Sequence, residues 1–297
     1  MKKKSKLERR EHTAGLLMIS PSLIYFLVFF LLPIGVCLYA GFTNWNMLSP
    51  NRVFVGLRNF FELFNDQKFW KALINTLYML IPIPIYLTLS LLFAYACHKN
   101  VPGEKVFRTI YYLPYISSIV ALVLIWQWLF NNEYGLINNF LSIFGVEGPN
   151  WLNDPIWTKR MIVIMISWKH IGFISIYYIA ALKSIPKTCY EAAQIDGASP
   201  AQQFFRITIP LITPTTFFLV TMGIIGSLQT FVEPQLFAPD GGRGYGVATV
   251  IYYIWEKAFS SSQMGYACAT AVIFGIFIML LTILQFRLSK KWVYEGE

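Results

Sequence analysis

YEAAQIDGASP, residues 190–200, is a polar segment that lies between two long apolar runs, residues 161–182 and 211–232. A polar stretch of this length cannot cross the hydrocarbon core of a bilayer, where polar groups find no water. Each flanking run is long enough to span a bilayer, which takes about 20 residues of helix. We therefore expect the segment to lie in water between two membrane spans.

The same segment predicts two short helices joined at a glycine. The first begins at residues 184–186, runs through Glu191-Ala192-Ala193, and stops at Gly197, where left-handed backbone geometry costs least. The second begins with Ser199-Pro200-Ala201-Gln202, which fits a capping box with proline at the first helical position. Pro210 is expected to end this second helix. The pattern indicates a stiff helical loop on the membrane face.

Composition places the chain among membrane proteins. Of its 297 residues, 56% are hydrophobic, 17% are aromatic and only 13% are charged, whereas soluble proteins carry about 25% charged residues. Most basic residues flank apolar runs, so the net charge of +9 needs no nucleic-acid partner. The cysteines are far apart and form no metal-ligand motif, which favours small buried side chains over disulfides or a zinc site. They are Cys37, Cys97, Cys189 and Cys268.

Apolar runs of membrane-spanning length recur along the whole chain. The first is longer than the apolar region of a cleaved signal peptide, which is about 7–15 residues, so we interpret it as a span. A helix capped by Asn65 or Asp66 is expected to start near Phe69-Trp70, and Pro82 and Pro84 predict a kink. The fold class is therefore an all-α integral membrane protein with six transmembrane helices. The predicted spans are residues 16–40, 72–97, 110–130, 161–182, 213–232 and 266–286.

Charge asymmetry predicts the orientation of these spans. With six spans, both termini lie on one side of the membrane. If that side is the cytoplasm, 15 of the 24 Lys and Arg residues lie in inside segments and 8 in outside segments, with Lys169 within the fourth span. Positive residues concentrate on the cytoplasmic side. Both termini and the loop 183–213 are therefore predicted to be cytoplasmic.

Four regions follow from this topology. Residues 1–14 form a basic cytoplasmic N-terminus, and residues 15–71 hold the first transmembrane helix and an extracytoplasmic loop. Residues 72–287 form a core of five transmembrane helices that includes the loop 183–213. Residues 288–297 form a cytoplasmic tail.

Several classes of function are disfavoured by missing motifs. The sequence contains no Gly-Lys pair and hence no phosphate-binding Walker loop, so the chain is not expected to hydrolyse ATP. The six predicted spans contain no Asp or Glu, the residues on which proton-coupled transporters usually depend. We find no filter-like loop and no nucleophile–base or metal cluster. The sequence therefore predicts no catalytic residue, metal or cofactor, and favours a translocation pathway that a partner drives.

A cation inside the fourth span marks a candidate binding site. Lys169 and His170 lie there, and Phe173 follows Lys169 by one helical turn. A charge at that depth usually faces a water-filled cavity or a partner. Two alternatives stay open at this point: Lys169 extends along its stem to the outer interface, and Phe173 serves ordinary helix packing.

The end of the fifth span is unusually polar for a membrane helix. Its last residues include Gly223, Gly226, Ser227, Gln229 and Thr230, and Glu233 follows directly after it. Close helix packing explains the glycines well, but it explains Gln229 and Thr230 less well. Aromatic faces combined with a few polar groups are typical of small-ligand sites, and the fourth and fifth spans together supply both.

The polar loop carries a family resemblance. Glu191-Ala192-Ala193, then Asp196-Gly197-Ala198, and then Phe204, Ile207 and Ile209-Pro210 closely resemble the signature loop of inner-membrane permeases of binding-protein-dependent ABC importers. The resemblance implies that the loop is a coupling helix that docks into a cleft of a cytosolic ATPase subunit. The alternative is an amphipathic surface connector with no partner. The residues implied to couple are Glu191, Ala192, Ala193, Asp196, Gly197 and Ala198.

Stretches outside the loop resemble one subgroup, the maltose and multiple-sugar permeases. They are residues 54–60, 69–73, 75–77, 112–114, 250–259 and 265–267. The subgroup implies a carbohydrate substrate and a pocket midway through the membrane, on the spans that flank the coupling loop and on the last span. Carried onto this chain, the substrate-binding residues are Lys169, His170, Phe173, Ser227, Gln229 and Thr230.

The resemblance also implies partners and a location. They are a second permease subunit, expected to be a different chain, two cytosolic ATP-binding subunits, an extracytoplasmic substrate-binding protein and membrane lipid, in the bacterial cytoplasmic membrane. Three alternatives stay open: an acidic sugar or sugar phosphate, which Lys169 and His170 would suit, another small solute, and a secondary transporter. The family often has Gly-Gly-Pro where this chain has Gly241-Gly242-Arg243, and usually Leu at Ile209. We expect Arg243 either to alter the contact with the binding protein or to pair with an acidic group on it.

Overall fold

The structure is a computed structural model that describes residues 6–49, 52–98 and 104–294. Regular structure in this part of the chain is helical, with a single isolated β-bridge between Thr43 and Phe54. The predicted all-α fold is therefore confirmed. Four of the basic residues used to predict the topology lie outside the described residues, namely Lys2, Lys3, Lys4 and Lys99.

The helices are numbered in chain order. They are α1 (Lys6–Phe26, continuing through Leu27–Leu31 into Leu32–Gly41), α2 (Arg58–Asn65), α3 (Gln67–Tyr78), α4 (Pro82–His98), α5 (Glu104–Ile116), α6 (Ile119–Leu129), α7 (Leu136–Ile143), α8 (Pro155–Ser184), α9 (Lys187–Ile195), α10 (Pro200–Gln203, Phe204–Thr208 and Ile209–Leu211), α11 (Thr213–Leu228), α12 (Val232–Phe237), α13 (Val250–Trp255, continuing through Glu256–Ser260) and α14 (Met264–Ser289). A short 3₁₀ turn, Arg243–Tyr245, lies between α12 and α13.

Four helical segments in the described residues are long and apolar enough to cross a membrane: Ala14–Gly41, Gln67–Cys97, Pro155–Ser184 and Met264–Ser289. Two bent pairs pass the same test, Thr109–Ile116 with Ile119–Leu129 and Pro200–Leu211 with Thr213–Leu228. Counting each bent pair as one span gives six, as the sequence predicts.

The third predicted span differs from the expected single helix. It bends by 103° between α5 and α6. Pro114 lies inside the last turns of α5 and removes a backbone donor there. Ser118, with ψ of 127°, then leaves the helical region before α6 begins. The predicted span over residues 110–130 is therefore built from two helices, and the bend between them was not predicted.

The second predicted span follows the sequence signals closely. The Asp66 carboxylate accepts a hydrogen bond of 2.8 Å from the Lys68 backbone N–H and so caps α3. The helix begins at Gln67, two residues before the predicted start. The helix is interrupted between Tyr78 and Pro82, as the two prolines predict, because Pro82 and Pro84 at the start of α4 lack backbone donors.

The chain divides into two compact units. The first unit comprises Met1–Asn65 and Ile254–Phe274, and the second comprises Asp66–Tyr253 and Gly275–Glu297. In the first unit, α1 and the start of α14 approach closely, because a Cβ added at Gly41 would lie 3.2 Å from the Ala269 Cα. The Asn59 side chain donates hydrogen bonds of 2.8 and 2.9 Å to the Gly41 and Thr43 carbonyls. This amide fixes the turn that follows α1.

The second unit is built on contact between α4 and α8. Ser175 Oγ donates to the Ile171 and Ser90 carbonyls, and Ser90 Oγ donates to the Ile171 carbonyl at 2.9 Å. The helices α5 and α8 come still closer, since a Cβ added at Gly172 would lie 1.9 Å from the Tyr111 carbonyl oxygen. These contacts fix the three helices that carry most of the site described below.

The loop between α12 and α13 is anchored to α3. Asn75 donates hydrogen bonds to the Tyr245 and Ala248 carbonyls at 3.1 and 3.0 Å. Lys159 in turn donates to the Asn75 side-chain oxygen at 3.1 Å, and the Val250 N–H donates to the Thr76 hydroxyl at 2.9 Å. This loop, which holds the departure from the family pattern at Arg243, is therefore an ordered part of the second unit.

Candidate functional site

The polar loop contains the two helices that its sequence predicts. Helix α9 begins after Pro186, and Gly197 follows it with φ of +77°. The Ala198 N–H donates to the Ala193 carbonyl at 2.8 Å and the Gly197 N–H donates to the Gln194 carbonyl at 3.0 Å. This pair of bonds is the Schellman motif, which requires a left-handed residue where Gly197 stands. Glycine therefore fixes the turn between α9 and α10.

Helix α10 begins with the predicted capping box. The Gln202 N–H donates to Ser199 Oγ at 3.3 Å, and the Ser199 N–H donates to the Gln202 side-chain oxygen at 2.8 Å. The prediction that Pro210 ends this helix was wrong, because the helix continues to Leu211. A wider turn at Phe204–Thr208 precedes Pro210, so its missing N–H falls where the hydrogen-bond register shifts.

Side chains hold the two short helices together and against the rest of the second unit. The Tyr190 and Thr208 hydroxyl oxygens are 2.8 Å apart and form a hydrogen bond. The ring of Phe204 packs edge-on against Tyr95 of α4, with centroids 4.7 Å apart. At the exit of the loop, the Tyr294 N–H of the tail donates to Thr213 Oγ1 at 2.8 Å. The loop is thus braced at several points.

The outer surface of this loop is open. Glu191, Ala192, Asp196 and Gly197 are exposed, while Ala193 and Ala198 are half-buried. Two large apolar side chains stand beside them, Ile195 with 87% of its surface exposed and Phe205 with 66%. The exposure of these two side chains was not predicted from the sequence. Exposed apolar groups rimmed by polar residues are typical of a surface that a partner covers.

A cavity of about 440 Å³ lies in the second unit between α4, α5, α8 and α11. All six residues predicted to bind substrate line it: Lys169, His170, Phe173, Ser227, Gln229 and Thr230. The first three lie on one side of α8, and the other three lie at the end of α11 and just beyond it. The structure therefore brings both predicted groups to one cavity, and their role in binding stays a prediction.

Stacked aromatic rings form one wall of the cavity. Tyr115 and Phe173 are stacked with centroids 3.9 Å apart and planes 2° apart. Tyr86 stacks on His170 at 5.2 Å, and Tyr177 meets Phe173 edge-on at 5.2 Å. Tyr177 lies four residues after Phe173, so helical spacing could have identified it. Tyr86 and Tyr115 lie on other helices, and no local pattern indicates that they reach this wall.

His170 has a defined hydrogen bond. Its Nδ1 lies 2.8 Å from the Ile166 carbonyl oxygen, which can only accept. Nδ1 therefore carries a proton, and in the neutral imidazole Nε2 is left as an acceptor. In its neutral form the ring thus offers the cavity a flat face and one acceptor.

One basic and one acidic side chain also line the cavity. Lys169 lines it from α8, and Glu233 lines it from α12, beyond the last residue of α11. Glu233, which directly follows the fifth predicted span, was not among the residues predicted to bind substrate. Burial raises the pKa of Glu233, while a hydrogen bond from its own backbone N–H and the Lys169 ammonium act to lower it. The two side chains interact electrostatically without forming a direct ion pair.

A second cavity, of about 400 Å³, lies beside the loop between α12 and α13. Arg243 and Asp240 line it and are both exposed. Gly241 and Gly242 have φ of +77° and +74°, so this turn depends on residues that tolerate left-handed geometry. Among the described residues there is no group of three or more His, Cys, Asp or Glu side chains that could hold a metal ion.

The comparisons with known proteins identify the family. Residues 86–294 match the family described as "Binding-protein-dependent transport system inner membrane component". The chain belongs to this family. The matched residues include both the polar loop and the whole of the first cavity. The chain is accordingly a multi-pass component of a transport system in the cytoplasmic membrane, and the family is not a family of enzymes.

Full-length relatives support this membership. The chain is 34% identical to the probable ABC transporter permease protein YesP of Bacillus subtilis, covering 99% of this chain and 96% of YesP. It is 32% identical to the lactose transport system permease protein LacF of Rhizobium radiobacter, covering 97% and 98%. The fold also matches a chain in the crystal structure of a bacterial alginate ABC transporter, which was solved in complex with an alginate pentasaccharide-bound periplasmic protein. The TM-score is 0.84 and the identity is 25%, and the match covers 97% of this chain and 98% of that chain. Alginate is an acidic polysaccharide.

Proposed function

We propose that this chain is the transmembrane permease subunit of an ATP-driven ABC importer that carries a carbohydrate across the cytoplasmic membrane. The observation that carries the proposal is the cavity between α8 and α11, because these two helices enter and leave the exposed loop. A movement imposed on the loop would therefore reach both walls of the cavity. The lactose and alginate transporters among the similar proteins support a carbohydrate substrate.

The chemistry of the cavity suits a sugar. A sugar ring presents an apolar face that stacks on aromatic rings, and the Tyr115–Phe173 wall offers such a surface. Its hydroxyl groups donate and accept hydrogen bonds, which the polar side chains at the end of α11 and His170 Nε2 complement. The proposed substrate-binding residues are Lys169, His170, Phe173, Ser227, Gln229 and Thr230.

The exposed loop is the proposed contact with the energy source. In this proposal Glu191, Ala192, Ala193, Asp196, Gly197 and Ala198 form the surface that a cytosolic ATPase subunit covers, and Ile195 and Phe205 add apolar contact area. The hydrogen bond between Tyr190 and Thr208 joins α9 to α10, so a force applied to one short helix would reach the other. Closure of two ATPase subunits would then rock α8 and α11 and alternate access to the cavity, a motion common among transporters.

Two further partners complete the proposed importer. A second, different permease chain lies beside this one, and an extracytoplasmic binding protein delivers the substrate. Arg243, exposed beside the second cavity, is the proposed contact for an acidic group on the binding protein. The dependence of the family on a binding protein supports this arrangement.

Uptake by energised membranes tests the proposal against the secondary-transporter alternative. Proteoliposomes that contain the importer and internal ATP should take up labelled oligosaccharide, and a protonophore should leave uptake unchanged. Uptake that stops with the protonophore while ATP remains would contradict the proposal.

Phe173→Ala should lower uptake about tenfold at low substrate concentration, the effect of about 1.4 kcal/mol of lost stacking. Ile164→Ala, on an exposed part of the same helix, is the matched control.

A further inference from the structure

The charges in the cavity bear on which carbohydrates it accepts. Apart from His170, the side chains of charged residue types that line it are Lys169 and Glu233, one basic and one acidic. They come from different helices, α8 and α12, and meet in the same cavity. With Glu233 ionised, the cavity holds one charge of each sign and has no net fixed charge that attracts or repels an ion.

Lys169 and Glu233 interact, but each keeps hydrogen-bonding groups that the other does not occupy. Burial raises the pKa of Glu233, and the Lys169 ammonium acts against this rise, so the charge of Lys169 favours the ionised carboxylate. They form no direct ion pair, so the ammonium keeps donors and the carboxylate keeps acceptors for a third group. A hydroxyl group is both a donor and an acceptor. Neighbouring hydroxyls of a sugar can therefore accept from Lys169 and donate to Glu233 at once.

We propose that the cavity selects an uncharged oligosaccharide, whose hydroxyl groups bridge Lys169 and Glu233. This inference rests on the proposed function. A saccharide that carries a carboxylate or phosphate would place a second negative charge near Glu233, and like charges brought together in a desolvated site are unfavourable. A neutral sugar satisfies both side chains without adding a charge that must be neutralised.

Family membership does not decide this question. One similar protein is a lactose permease and another belongs to the transporter of an acidic polysaccharide, so permeases of this architecture serve both neutral and acidic sugars. The distinction must therefore come from the side chains of the cavity. Glu233 is the residue that decides between neutral and acidic sugars. Its carboxylate balances the charge of Lys169, and without it Lys169 would favour an anion.

A charge cycle in the assembled importer tests the inference. Proteoliposomes that contain the complete importer and its binding protein are offered two labelled pools, neutral di- and trisaccharides and di- and trisaccharides that contain a uronate. The native protein should take up the neutral pool, with little competition from unlabelled uronates. Lys169→Met and Glu233→Gln should each lower neutral uptake at least about tenfold, because each removes a charged hydrogen-bond partner of the sugar and leaves the other charge unbalanced in a desolvated site. Glu147→Gln, on an exposed loop, is the control.

The combined variants separate charge balance from a simple loss of structure. The double variant Lys169→Met/Glu233→Gln should take up the neutral pool at least as well as the less active of the two single variants, because it leaves no unbalanced charge in the cavity. The exchange Lys169→Glu with Glu233→Lys should recover uptake above both single variants. Glu233→Gln should also become sensitive to competition by uronates, since it leaves Lys169 unbalanced.

Two results would overturn the inference, and they differ in what else they reject. Preferential uptake of the uronate pool by the native protein, with Glu233→Gln unchanged, would show that Glu233 is protonated and that the cavity is cationic. The proposed carbohydrate importer would then survive. Uptake of neither pool by an importer that hydrolyses ATP would reject the carbohydrate substrate together with the inference.

Discussion

At the scale of single residues, the close contacts of the second unit depend on small side chains. Gly172 lies where α5 and α8 cross in backbone contact, and no other residue could occupy the position without moving a helix. This contact was not predictable from the sequence, because Gly172 lies in an ordinary apolar span and its neighbour comes from another helix. By contrast, the role of Gly197 was predictable, because a glycine that follows a run of helix-forming residues is a local signal for the end of a helix.

Gly172→Ala is expected to destabilise the protein. The added Cβ would lie 1.9 Å from the Tyr111 carbonyl oxygen, a backbone atom that cannot rotate away. Overpacking of this kind typically costs about 1–3 kcal/mol, and separation of α5 from α8 would also disturb the Tyr115–Phe173 wall. The midpoint of thermal unfolding in detergent, monitored by size-exclusion chromatography, should fall.

The matched control is Gly275→Ala, also in the second unit, where an added Cβ meets nothing within 4 Å. Its unfolding midpoint should stay the same or rise slightly, because alanine favours a helix over glycine. Equal midpoints for the two variants would contradict the close crossing of α5 and α8.

Residue-scale prediction of the cavity was partial for a physical reason. Lys169, His170 and Phe173 stood out because a charge within an apolar span is costly and helical spacing places them on one face. Tyr86 and Tyr115 are unremarkable within their own spans, and only tertiary packing brings them to the same wall. Glu233 lies beyond the fifth span, where a carboxylate is ordinary, and only the short helix α12 turns it into the cavity.

At the scale of elements, the loop 183–213 is the best-predicted part of the chain. Its helix starts, glycine turn and capping box all rest on local hydrogen bonds between residues close in sequence, which sequence patterns report well. The continuation past Pro210 and the 103° bend of the third span were not predicted. Both depend on where the chain shifts hydrogen-bond register or leaves the helix, which hydropathy does not reveal.

Gly197→Pro is expected to uncouple ATP hydrolysis from uptake. Proline cannot adopt φ of +77°, and it removes the N–H that donates to Gln194, so α9 would lose its defined end. The flanking spans are unchanged, so membrane insertion should persist. The ratio of transported sugar to hydrolysed ATP in proteoliposomes should fall.

Gly145→Pro provides equal backbone strain elsewhere, because Gly145 has φ of +70° in the loop that follows α7. This control should keep the native ratio of transport to hydrolysis. Normal uptake by the Gly197→Pro protein would show that the shape of the loop is not needed for coupling.

At the scale of the whole molecule, orientation in the membrane remains a prediction from charge asymmetry. We expect the loop 183–213 to face the cytoplasm and the loop 131–154 to face outside. Single cysteines at Asp196 and Glu147, in a chain whose four native cysteines are replaced, report the two sides, and both positions are exposed. In intact cells an impermeant maleimide should label Glu147→Cys directly and Asp196→Cys only after permeabilisation. The reverse pattern would invert the topology and remove the loop from the reach of an ATPase.

The most direct test of the central claim is the composition of the complex that this chain forms. The tagged chain would be purified from its native membrane in mild detergent, and its partners would be quantified by mass spectrometry. The account predicts an ATPase subunit and a second permease in near-equal amounts, with Glu191→Lys losing the ATPase but keeping the second permease, and Glu147→Lys losing neither. Recovery of the chain alone, from membranes that still transport, would contradict an importer driven through this loop.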